Sequence, residues 1–341
     1  MIKHRKAIVA SGFSLLALIV VGMICFFIAK KYASKPYGYN EKRVYVEAGL
    51  SKEQFKQLLV DEFGKEYGER VFTLYKRFDS DYSVPSGSYI IRPGEKAYSF
   101  ARRLNMRRQD PIRFTFNNLR TLEDLASAAD KTFEFSKESF LSAADSILSS
   151  QGVTAANYGA HFLPDTYEFY WTDSPQHVVE KITSNYNRFW NDERRAKAST
   201  IGLTPDQVST LASIVESETN KSDERPKVAR LYLNRLDRGM LLQADPTVIF
   251  ALGDFSIRRV TNKHLAVQSP YNTYIHKGLP PGPIRLPEAR TLDAVLNAPS
   301  HNYLYMCAKE DFSGYHNFAI SYADHLANAR RYQQKLDQLN R

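Results

Sequence analysis

Residues 202–219 read GLTPDQVSTLASIVESET and predict an amphipathic helix that ends in two carboxylates. Thr204 is followed by a proline and, three residues after the threonine, by Gln207, which together form the pattern of a capped helix start. Apolar residues then recur at helical spacing, so one face of this helix is expected to be buried. The members of this apolar stripe are Val208, Leu211, Ala212, Ile214 and Val215.

The two carboxylates at the end of this helix are not equivalent. At about 100° per residue, Glu218 falls about 50° from the centre of the apolar stripe, whereas Glu216 falls about 110° away at its edge. We therefore expect Glu218 to be the more buried of the two. Desolvation and the helix dipole would raise the pKa of a carboxyl group there, as a general acid working near neutral pH requires. A solvated charge pair with Lys221 or Arg225 is the alternative, and spacing alone does not decide between them.

The composition of the chain is that of a folded protein in an anionic environment. Its 341 residues are enough for two or three domains with their own cores. The 21 tyrosines and 20 phenylalanines suit both a core and a surface on which sugar rings stack. The formal charge of +9 favours a membrane surface, an anionic wall polymer or nucleic acid as the neighbour. No basic run is interleaved with aromatic residues, so nucleic acid is not expected as a partner.

Several common kinds of site are not indicated by the sequence. The two cysteines, Cys25 and Cys307, predict no intramolecular disulfide and are too few for a structural zinc site. No GxSxG elbow, Walker loop or dinucleotide-binding glycine pattern occurs. His301, His316 and His325 belong to different predicted elements, so a three-histidine metal site is only a minor alternative. We expect neither a metal nor a cofactor.

The N-terminal residues predict a membrane anchor. Residues 1–6, MIKHRK, are basic, and residues 7–29 are uncharged, which is long enough to cross a bilayer. We predict a cytoplasmic tail at 1–6, a transmembrane helix at 7–29 and a linker at 30–42, with a cleaved signal peptide as the alternative. Basic residues on the two sides nearly balance, so a cytoplasmic N-terminus is favoured only by a small bias. In that orientation, everything from residue 32 onward is outside.

Two small units of strands and paired helices are predicted after the linker. The first, residues 43–110, contains strands at 43–47 and 87–92 and helices at 52–66, 67–78 and 95–104. The second, residues 111–158, contains a strand at 112–116 and helices at 121–131 and 136–148. Units of this kind are binding modules more often than catalytic ones.

The sequence changes character in residues 159–341. Residues 159–171, GAHFLPDTYEFYW, are dense in aromatic rings, which suits either a turn in a core or the wall of a saccharide cleft. Residues 174–196 predict one helix, and a helix that begins at Ser222 carries Asn234 and Arg235. These two could orient a carboxylate, although a solvated face is the expected role of either alone.

Long loops rich in proline, glycine, tyrosine and asparagine are predicted between residues 241 and 284. They read LLQADPTVIF at 241–250 and SPYNTYIHKGLPPGPI at 269–284, and loops of this composition are usually functional. Strands are predicted at 303–308 and 316–320, followed by a final helix at 322–339.

A single carboxylate, Glu218, is the candidate acid–base group. Ordinary glycosidases use two carboxyl groups, and the spacing of acidic residues supplies no convincing second one. One acid is sufficient if the substrate carries its own nucleophile, as in lytic transglycosylases. There the acid protonates the glycosidic oxygen and then, as a base, helps the muramic 6-hydroxyl to close on the anomeric carbon.

Several sequence blocks resemble the signature segments of the endolytic murein transglycosylase family, the YceG-like or MltG proteins. These blocks are LPDTY (163–167), ASIVESET (212–219), ERPKVARLYLNRL (224–236), LQADPTVIF (242–250), SPYNTY (269–274) and GLPPGPI (278–284). They lie in the same order and register as in that family. The first outer segment is similar to the LysM-like region of the family in its layout and in the GSY turn at 87–89.

The resemblance implies an α+β fold with an N-terminal transmembrane helix, LysM-like α/β binding subdomains and an α+β catalytic domain at 159–341. It implies a bacterial inner-membrane protein with a periplasmic catalytic domain. Such a protein cuts nascent peptidoglycan strands internally, between MurNAc and GlcNAc, forming 1,6-anhydroMurNAc near the peptidoglycan synthases. A peptidoglycan-binding scaffold with a degenerate site is the alternative from another class, and a hydrolytic muramidase is a third.

The resemblance also implies the site residues. The second glutamate of the E-x-E-T block is the catalytic one in that family, and here it is Glu218. Substrate binding is expected from Asp165, Tyr167, Gln243, Asp245, Thr247, Tyr271, Asn272, Thr273 and Tyr274.

Overall fold

The structure of the protein is a computed structural model that describes residues 2–78 and 83–339, with side chains at 16–78 and 83–338. It belongs to the α+β class, as predicted, and combines helices with small two-stranded sheets. Met1 of the predicted tail, and Asn340 and Arg341 of the predicted C-terminal domain, lie outside the described residues.

The chain forms two compact units. The first is Met1–Ile112 with Glu168–Thr172, and the second is Arg113–Tyr167 with Asp173–Arg341. Residues 113–158, which the sequence predicts as part of a separate small unit, are therefore grouped with the C-terminal residues. The domain boundaries predicted at 43, 111 and 159 stay predictions.

The first helix, α1 (Ile2–Ala33), is long and apolar enough over Leu16–Ala33 to cross a membrane, and none of that window is buried. A signal sequence has the same length and composition, so both predicted alternatives fit this helix. The predicted cytoplasmic tail depends on basic residues at positions 3, 5 and 6, whose side chains lie outside the described ones. The orientation of α1 stays a prediction.

The first unit has the predicted order of strand, two helices and strand. Its elements are β1 (Lys42–Val46), α2 (Lys52–Phe63), α3 (Lys65–Phe78), β2 (Gly87–Ile91) and α4 (Ala97–Asn105). Strands β1 and β2 are antiparallel, with Val44 opposite Tyr89. Gly64, at φ 81°, ends α2 three residues earlier than predicted, because it adopts a backbone conformation that glycine tolerates best.

The second unit is mainly helical. The elements that lie wholly or partly in it are β3 (Ile112–Thr115), α5 (Leu122–Asp130), α6 (Lys137–Ser150), a 3-10 turn (Ala155–His161), β4 (Thr166–Phe169), α7 (Pro175–Phe189), α8 (Asp192–Thr200), α9 (Pro205–Glu218), α10 (Arg225–Asp237), α11 (Asp245–Leu252), α12 (Asn262–Leu265), α13 (Ala289–Leu296), β5 (Tyr305–Ala308), β6 (His316–Ala319) and α14 (Tyr322–Leu339). Strand β3 pairs with β4, and β5 pairs with β6 as an antiparallel hairpin, with Ala308 opposite His316.

Helix α9 lies at the centre of this unit. It starts as predicted, because the Thr204 side chain accepts the Gln207 backbone N–H and the Gln207 side chain accepts the Thr204 N–H. Every residue from 208 to 216 is buried. Helices α8, α10, α11 and α13 all contact α9, so it has no solvated face over that stretch.

The predicted ranking of the two carboxylates on α9 is wrong. Glu216 is the more buried, with 2% of its surface exposed, whereas Glu218 is half-buried. The alternative of a solvated pair with Lys221 or Arg225 is wrong as well, because Glu218 accepts a hydrogen bond from Tyr232 and Arg225 pairs with Glu288. The stripe predicts one buried face, but α9 is packed on all sides.

Regular elements differ from the prediction in two places. The single helix predicted at 174–196 is two helices, because Trp190 leaves the helical conformation at ψ 65° and Asn191 caps α8 through its side chain. Helix α11 lies in a segment predicted as a loop, and α13 lies where no element was predicted. Each has only eight residues, and a proline near the start of α11 reads equally as a turn.

Asn234 and Arg235 of α10 do not form the solvated face expected of them. Each is 8% exposed, and their side chains bind backbone carbonyl groups. Asn234 Nδ2 donates to the carbonyls of residues 301 and 303, and Arg235 donates to those of residues 241, 242 and 304. The two side chains therefore join α10 to the segments on either side of it.

Candidate active site

A cavity of about 230 Å³ opens beside the C-terminal end of α9. Its wall is mostly polar and combines residues from α9, α10, the 242–245 segment, the 274 loop and the β5–β6 hairpin. The lining residues are Glu218, Leu231, Tyr232, Arg235, Leu242, Gln243, Asp245, Tyr274, Met306, Cys307, Ala308 and His316. Such a concave, polar site can bind a hydrated ligand through several side chains at once.

Glu218 is held in this cavity by one hydrogen bond, which the Tyr232 hydroxyl donates to Oε1 at 2.9 Å. Burial raises the pKa of Glu218 from its ordinary 4.5 to about 7. The Tyr232 hydrogen bond opposes this rise in pKa, and the negative charge of Asp245 adds to it. Glu218 is therefore close to half protonated at neutral pH, which suits a group that first donates and then accepts a proton.

Tyr232 also lines the cavity, although it was not predicted as a site residue. It is buried, and desolvation and the neighbouring Glu218 carboxylate raise its pKa well above the ordinary value, so it stays a hydroxyl donor. Arg235 lies one turn further along the same helix and also lines the cavity. Tyr232 and Arg235 are three residues apart on one helix, and this spacing could have indicated that both face the same site.

Three of the predicted substrate-binding residues lie on the cavity wall with Glu218: Gln243, Asp245 and Tyr274. The Tyr274 hydroxyl donates to Asp245 Oδ1, which fixes both side chains. Gln243 has a positive φ of 50°, which is uncommon for a residue with a side chain. Its backbone N–H donates to the Thr273 carbonyl at 3.1 Å, so this conformation is held by the neighbouring loop. Substrate contacts by these three residues stay a prediction.

Thr247, Asn272 and Thr273 are buried and do not line the cavity, unlike the cleft position expected for them. Thr273 Oγ1 accepts the Ala244 N–H at 3.0 Å and lies 2.9 Å from Thr247 Oγ1. Asn272 Nδ2 donates to two backbone carbonyls, those of residues 265 and 267, each at 2.9 Å. Because these hydroxyl and amide groups bond to protein partners, they support the segment that carries Gln243 and Asp245.

Tyr271, Asp165 and Tyr167 also lie away from the cavity lining. Tyr271 packs on Phe250, with ring centroids 4.8 Å apart. Asp165 is exposed and accepts the Thr166 N–H, as a turn residue does. Tyr167 is buried, and its hydroxyl donates to the Leu163 carbonyl at 2.7 Å. For Asp165 and Tyr167, these contacts fit the turn and core roles that the sequence left open beside a cleft wall.

His316 and Glu224 complete one side of the site. His316, the first residue of β6, lines the cavity, and its Nδ1 lies 2.8 Å from Glu224 Oε2. Among the described side chains, those of residues 16–78 and 83–338, no group of three His, Cys, Asp or Glu is placed to hold a metal ion. The Nε2 of His301 instead lies 2.9 Å from the Lys227 carbonyl, and His325 stacks on Tyr305.

Comparison with known proteins finds the YceG-like family over most of the chain. The model of the YceG-like family matches residues 44–331. A YceG-like protein of Listeria monocytogenes, known from a crystal structure, has a TM-score of 0.57 with 23% identity. That match covers 84% of this chain and 98% of the Listeria chain, and at this identity it shows a shared fold.

Two curated relatives share part of their length with this chain. An endolytic murein transglycosylase of Bacillus subtilis is 32% identical over 151 residues, which are 44% of this chain and 42% of that protein. An endolytic murein transglycosylase of Streptococcus pneumoniae is 24% identical over 339 residues, covering 89% of this chain and 61% of that protein. The chain therefore spans between two fifths and two thirds of these relatives. Since the family match extends over most of its residues, this chain belongs to the YceG-like family.

Proposed function

We propose that this protein is a membrane-anchored endolytic peptidoglycan transglycosylase that cleaves nascent glycan strands between MurNAc and GlcNAc. The observation that carries the proposal is Glu218, a carboxyl group with a pKa of about 7 in a polar cavity. Two relatives named endolytic murein transglycosylase support the substrate class.

The proposed reaction uses Glu218 twice. Because the Tyr232 hydroxyl donates to Oε1, Oε2 is the oxygen that carries the acidic proton. That proton goes to the glycosidic oxygen O4 of GlcNAc as the bond from C1 of MurNAc to O4 breaks. The MurNAc 6-hydroxyl then bonds to C1, and its proton returns to the Glu218 carboxylate. The product is a 1,6-anhydroMurNAc end, and no water is consumed.

Helix α1 and the family support the proposed location. Helix α1 can anchor the chain in the inner membrane as a single span, with the N-terminus in the cytoplasm and the catalytic residues in the periplasm. This places the cavity where glycan strands are made, so peptidoglycan synthases are the expected neighbours. The formal charge of +9 suits both an anionic membrane surface and an anionic wall polymer.

The test is to identify the ends that the full-length protein in detergent produces from purified, uncut glycan strands. We expect new anhydroMurNAc ends, detected by mass spectrometry, in strands shortened from within. New reducing ends instead would show a hydrolytic muramidase. Binding of strands without any new ends would show a scaffold, and either result would overturn the proposal.

The pH dependence of strand cleavage should report the protonation of Glu218. We expect the rate to fall as the pH rises above about 7, because the acid form is lost. Tyr232→Phe removes a hydrogen bond that favours the carboxylate, so the pKa of Glu218 should rise and the alkaline limb of the profile should move to higher pH. Initial rates of anhydro-end formation between about pH 5 and pH 9 measure this.

A matched control for Tyr232→Phe is Tyr186→Phe. Tyr186 is also a buried tyrosine whose hydroxyl donates to a carboxylate, Asp206, at 2.9 Å, but it does not line the cavity. Tyr186→Phe should therefore leave the alkaline limb of the pH–rate profile at its wild-type pH. An alkaline limb that does not move in Tyr232→Phe would contradict the assignment of that limb to Glu218.

A further inference from the structure

A carboxylate–histidine pair on the cavity wall has no part in the acid step described above. Glu224 Oε1 accepts the backbone N–H of His316 at 2.8 Å. Its Oε2 bonds to His316 Nδ1 at 2.8 Å and accepts the Thr219 hydroxyl at 3.0 Å. Thr219 directly follows Glu218, and His316 lines the same cavity with 16% of its side chain exposed. The pair therefore joins the end of α9 to the start of β6.

The charge of Glu224 fixes which nitrogen of His316 carries the hydrogen. Burial would raise the pKa of Glu224, but the hydrogen bonds from His316 and Thr219 together outweigh it and hold the pKa below its ordinary value. An ionised carboxylate only accepts hydrogen bonds, so Nδ1 of His316 is the donor. In the neutral ring, Nε2 is then the nitrogen without a hydrogen, and it is free to accept a proton in the cavity.

We propose that Nε2 of His316 relays the proton of the ring-closing step and that Glu224 is its positioning residue. This inference rests on the proposed function and refines how the proton returns to Glu218. As O6 of MurNAc bonds to C1, the 6-hydroxyl gives its proton to Nε2. His316 then passes this proton to the Glu218 carboxylate, which has just protonated O4. Both groups are restored, and no further reactant is needed.

The charges around His316 suit this relay. Glu224 stabilises the imidazolium ion that forms when Nε2 takes a proton. The positive charge of that ion also acts on Glu218, whose pKa it lowers, so protons on the two groups disfavour each other. One proton shared between them is therefore favoured over two. The other titratable side chains described on the cavity wall are Tyr232, Arg235, Asp245, Tyr274 and Cys307.

A purely structural role for the pair is the competing explanation, because contacts beside it fasten the β5–β6 hairpin. The Tyr315 hydroxyl donates to both oxygens of Asp223, at 3.2 and 3.0 Å, and Lys221 Nζ lies 4.8 Å from the centre of the Tyr315 ring. If the role is purely structural, the hydrogen bond from Nδ1 to Glu224 is sufficient for full activity, and Nε2 has no part in the reaction. The two roles of the ring can be separated by substitution.

His316→Asn separates them, because the asparagine amide can replace Nδ1 as the donor to Glu224 but provides nothing at the position of Nε2. With the full-length protein and glycan strands, we expect kcat to fall about 100-fold while KM and the unfolding temperature stay near the wild-type values. Tyr315→Phe, which loosens the same hairpin away from the cavity, is the control and should keep wild-type kcat. Wild-type kcat in His316→Asn would overturn the relay.

Two further measurements keep the inference testable if His316→Asn does not fold. Glu224→Gln can donate to Nδ1 and so favours the ring with its hydrogen on Nε2, and we expect kcat to fall at least tenfold. In the wild type, ¹⁵N-histidine NMR should show that the hydrogen of the neutral His316 ring is on Nδ1. A hydrogen on Nε2, or full activity of Glu224→Gln, would overturn the relay.

The outcomes also separate this inference from the proposed function. If the wild type makes anhydro ends and Glu218→Gln does not, but His316→Asn is fully active, only the relay is wrong. If the wild type makes no anhydro ends, the proposed function is wrong, and the relay is wrong with it.

Discussion

Glu218→Gln is expected to lower the rate of anhydro-end formation by about 1000-fold while the protein still binds glycan strands. Glutamine has the shape of glutamate and can still accept the Tyr232 hydrogen bond, but it has no proton to give to the glycosidic oxygen. The loss should therefore be seen in kcat, with KM nearly unchanged. Single-turnover assays with purified strands, followed by mass analysis of the new ends, measure it.

Glu216→Gln is not a suitable activity control, because Glu216 is buried in ion pairs, so the matched control is Asp293→Asn. Asp293 is a carboxylate of the same unit that pairs with Arg194 and does not line the cavity. Wild-type rates are expected for this variant. If Glu218→Gln keeps more than about a tenth of the wild-type rate, the acid is another group and the proposed mechanism is wrong.

Glu218→Gln should also stabilise the folded protein at alkaline pH. The pKa of Glu218 is about 7 in the folded protein and close to the ordinary 4.5 in the unfolded chain. Between these two pKa values the folded state binds more protons than the unfolded chain does. The stability that protonated Glu218 contributes is therefore present at low pH and is lost as the pH rises through 7. At pH 8, Glu218→Gln should therefore raise the free energy of unfolding by about 1–3 kcal/mol. At pH 4, the free energies of unfolding of Glu218→Gln and of the wild type should be equal.

Local capping and periodicity predicted much of the fold. The start of α9 at Thr204, the helix predicted at 121–131 and the final helix predicted at 322–339 match the structure, because each depends on neighbours a few residues apart. Two strands were also predicted where β5 and β6 lie, at 303–308 and 316–320. The break at Trp190 was not, because it depends on packing of that ring into the core.

The burial of α9 could not be predicted from its apolar stripe alone. Ser209, Thr210 and Ser213 are buried although they are polar. Their hydroxyls donate to carbonyls of their own helix, those of residues 205, 206 and 210, so burial leaves no unpaired hydroxyl hydrogen. A helix of this composition can be packed on every side, so the positions of its polar residues do not predict which face is exposed to solvent.

The partners of Glu218 are distant in the sequence, which is why only part of the site was found. Tyr232 is 14 residues away, on the next helix, and the bond between Glu224 and His316 joins residues 92 apart. Spacing within one element carries no information about such pairs. The resemblance to the YceG-like family indicated Gln243, Asp245 and Tyr274 near Glu218. It did not separate these cavity residues from Thr247, Asn272 and Thr273, which lie beneath them.

Glu216 is expected to matter for stability as much as Glu218 does for catalysis. Its Oε2 accepts the Thr291 hydroxyl at 2.7 Å and the Glu288 N–H at 3.0 Å, and its Oε1 lies 3.1 Å from Arg285 Nε. Arg225 Nη1 lies 3.9 Å from the same carboxylate. The single buried negative charge thus faces two arginines and connects α9 to the start of α13.

Glu216→Gln should lower the free energy of unfolding by about 3 kcal/mol, because it leaves two largely buried guanidinium groups facing a neutral amide. Chemical unfolding of the full-length protein in one detergent, followed by circular dichroism, measures the change. Glu193→Gln is the matched control, since that carboxylate pairs with Lys197 at 2.8 Å but is exposed, and its midpoint should not shift. Equal midpoints for the two variants would show that the Glu216 charge contributes nothing to the fold. A large shift in Glu216→Gln alone would show that the buried charge of Glu216 stabilises the packing of α9.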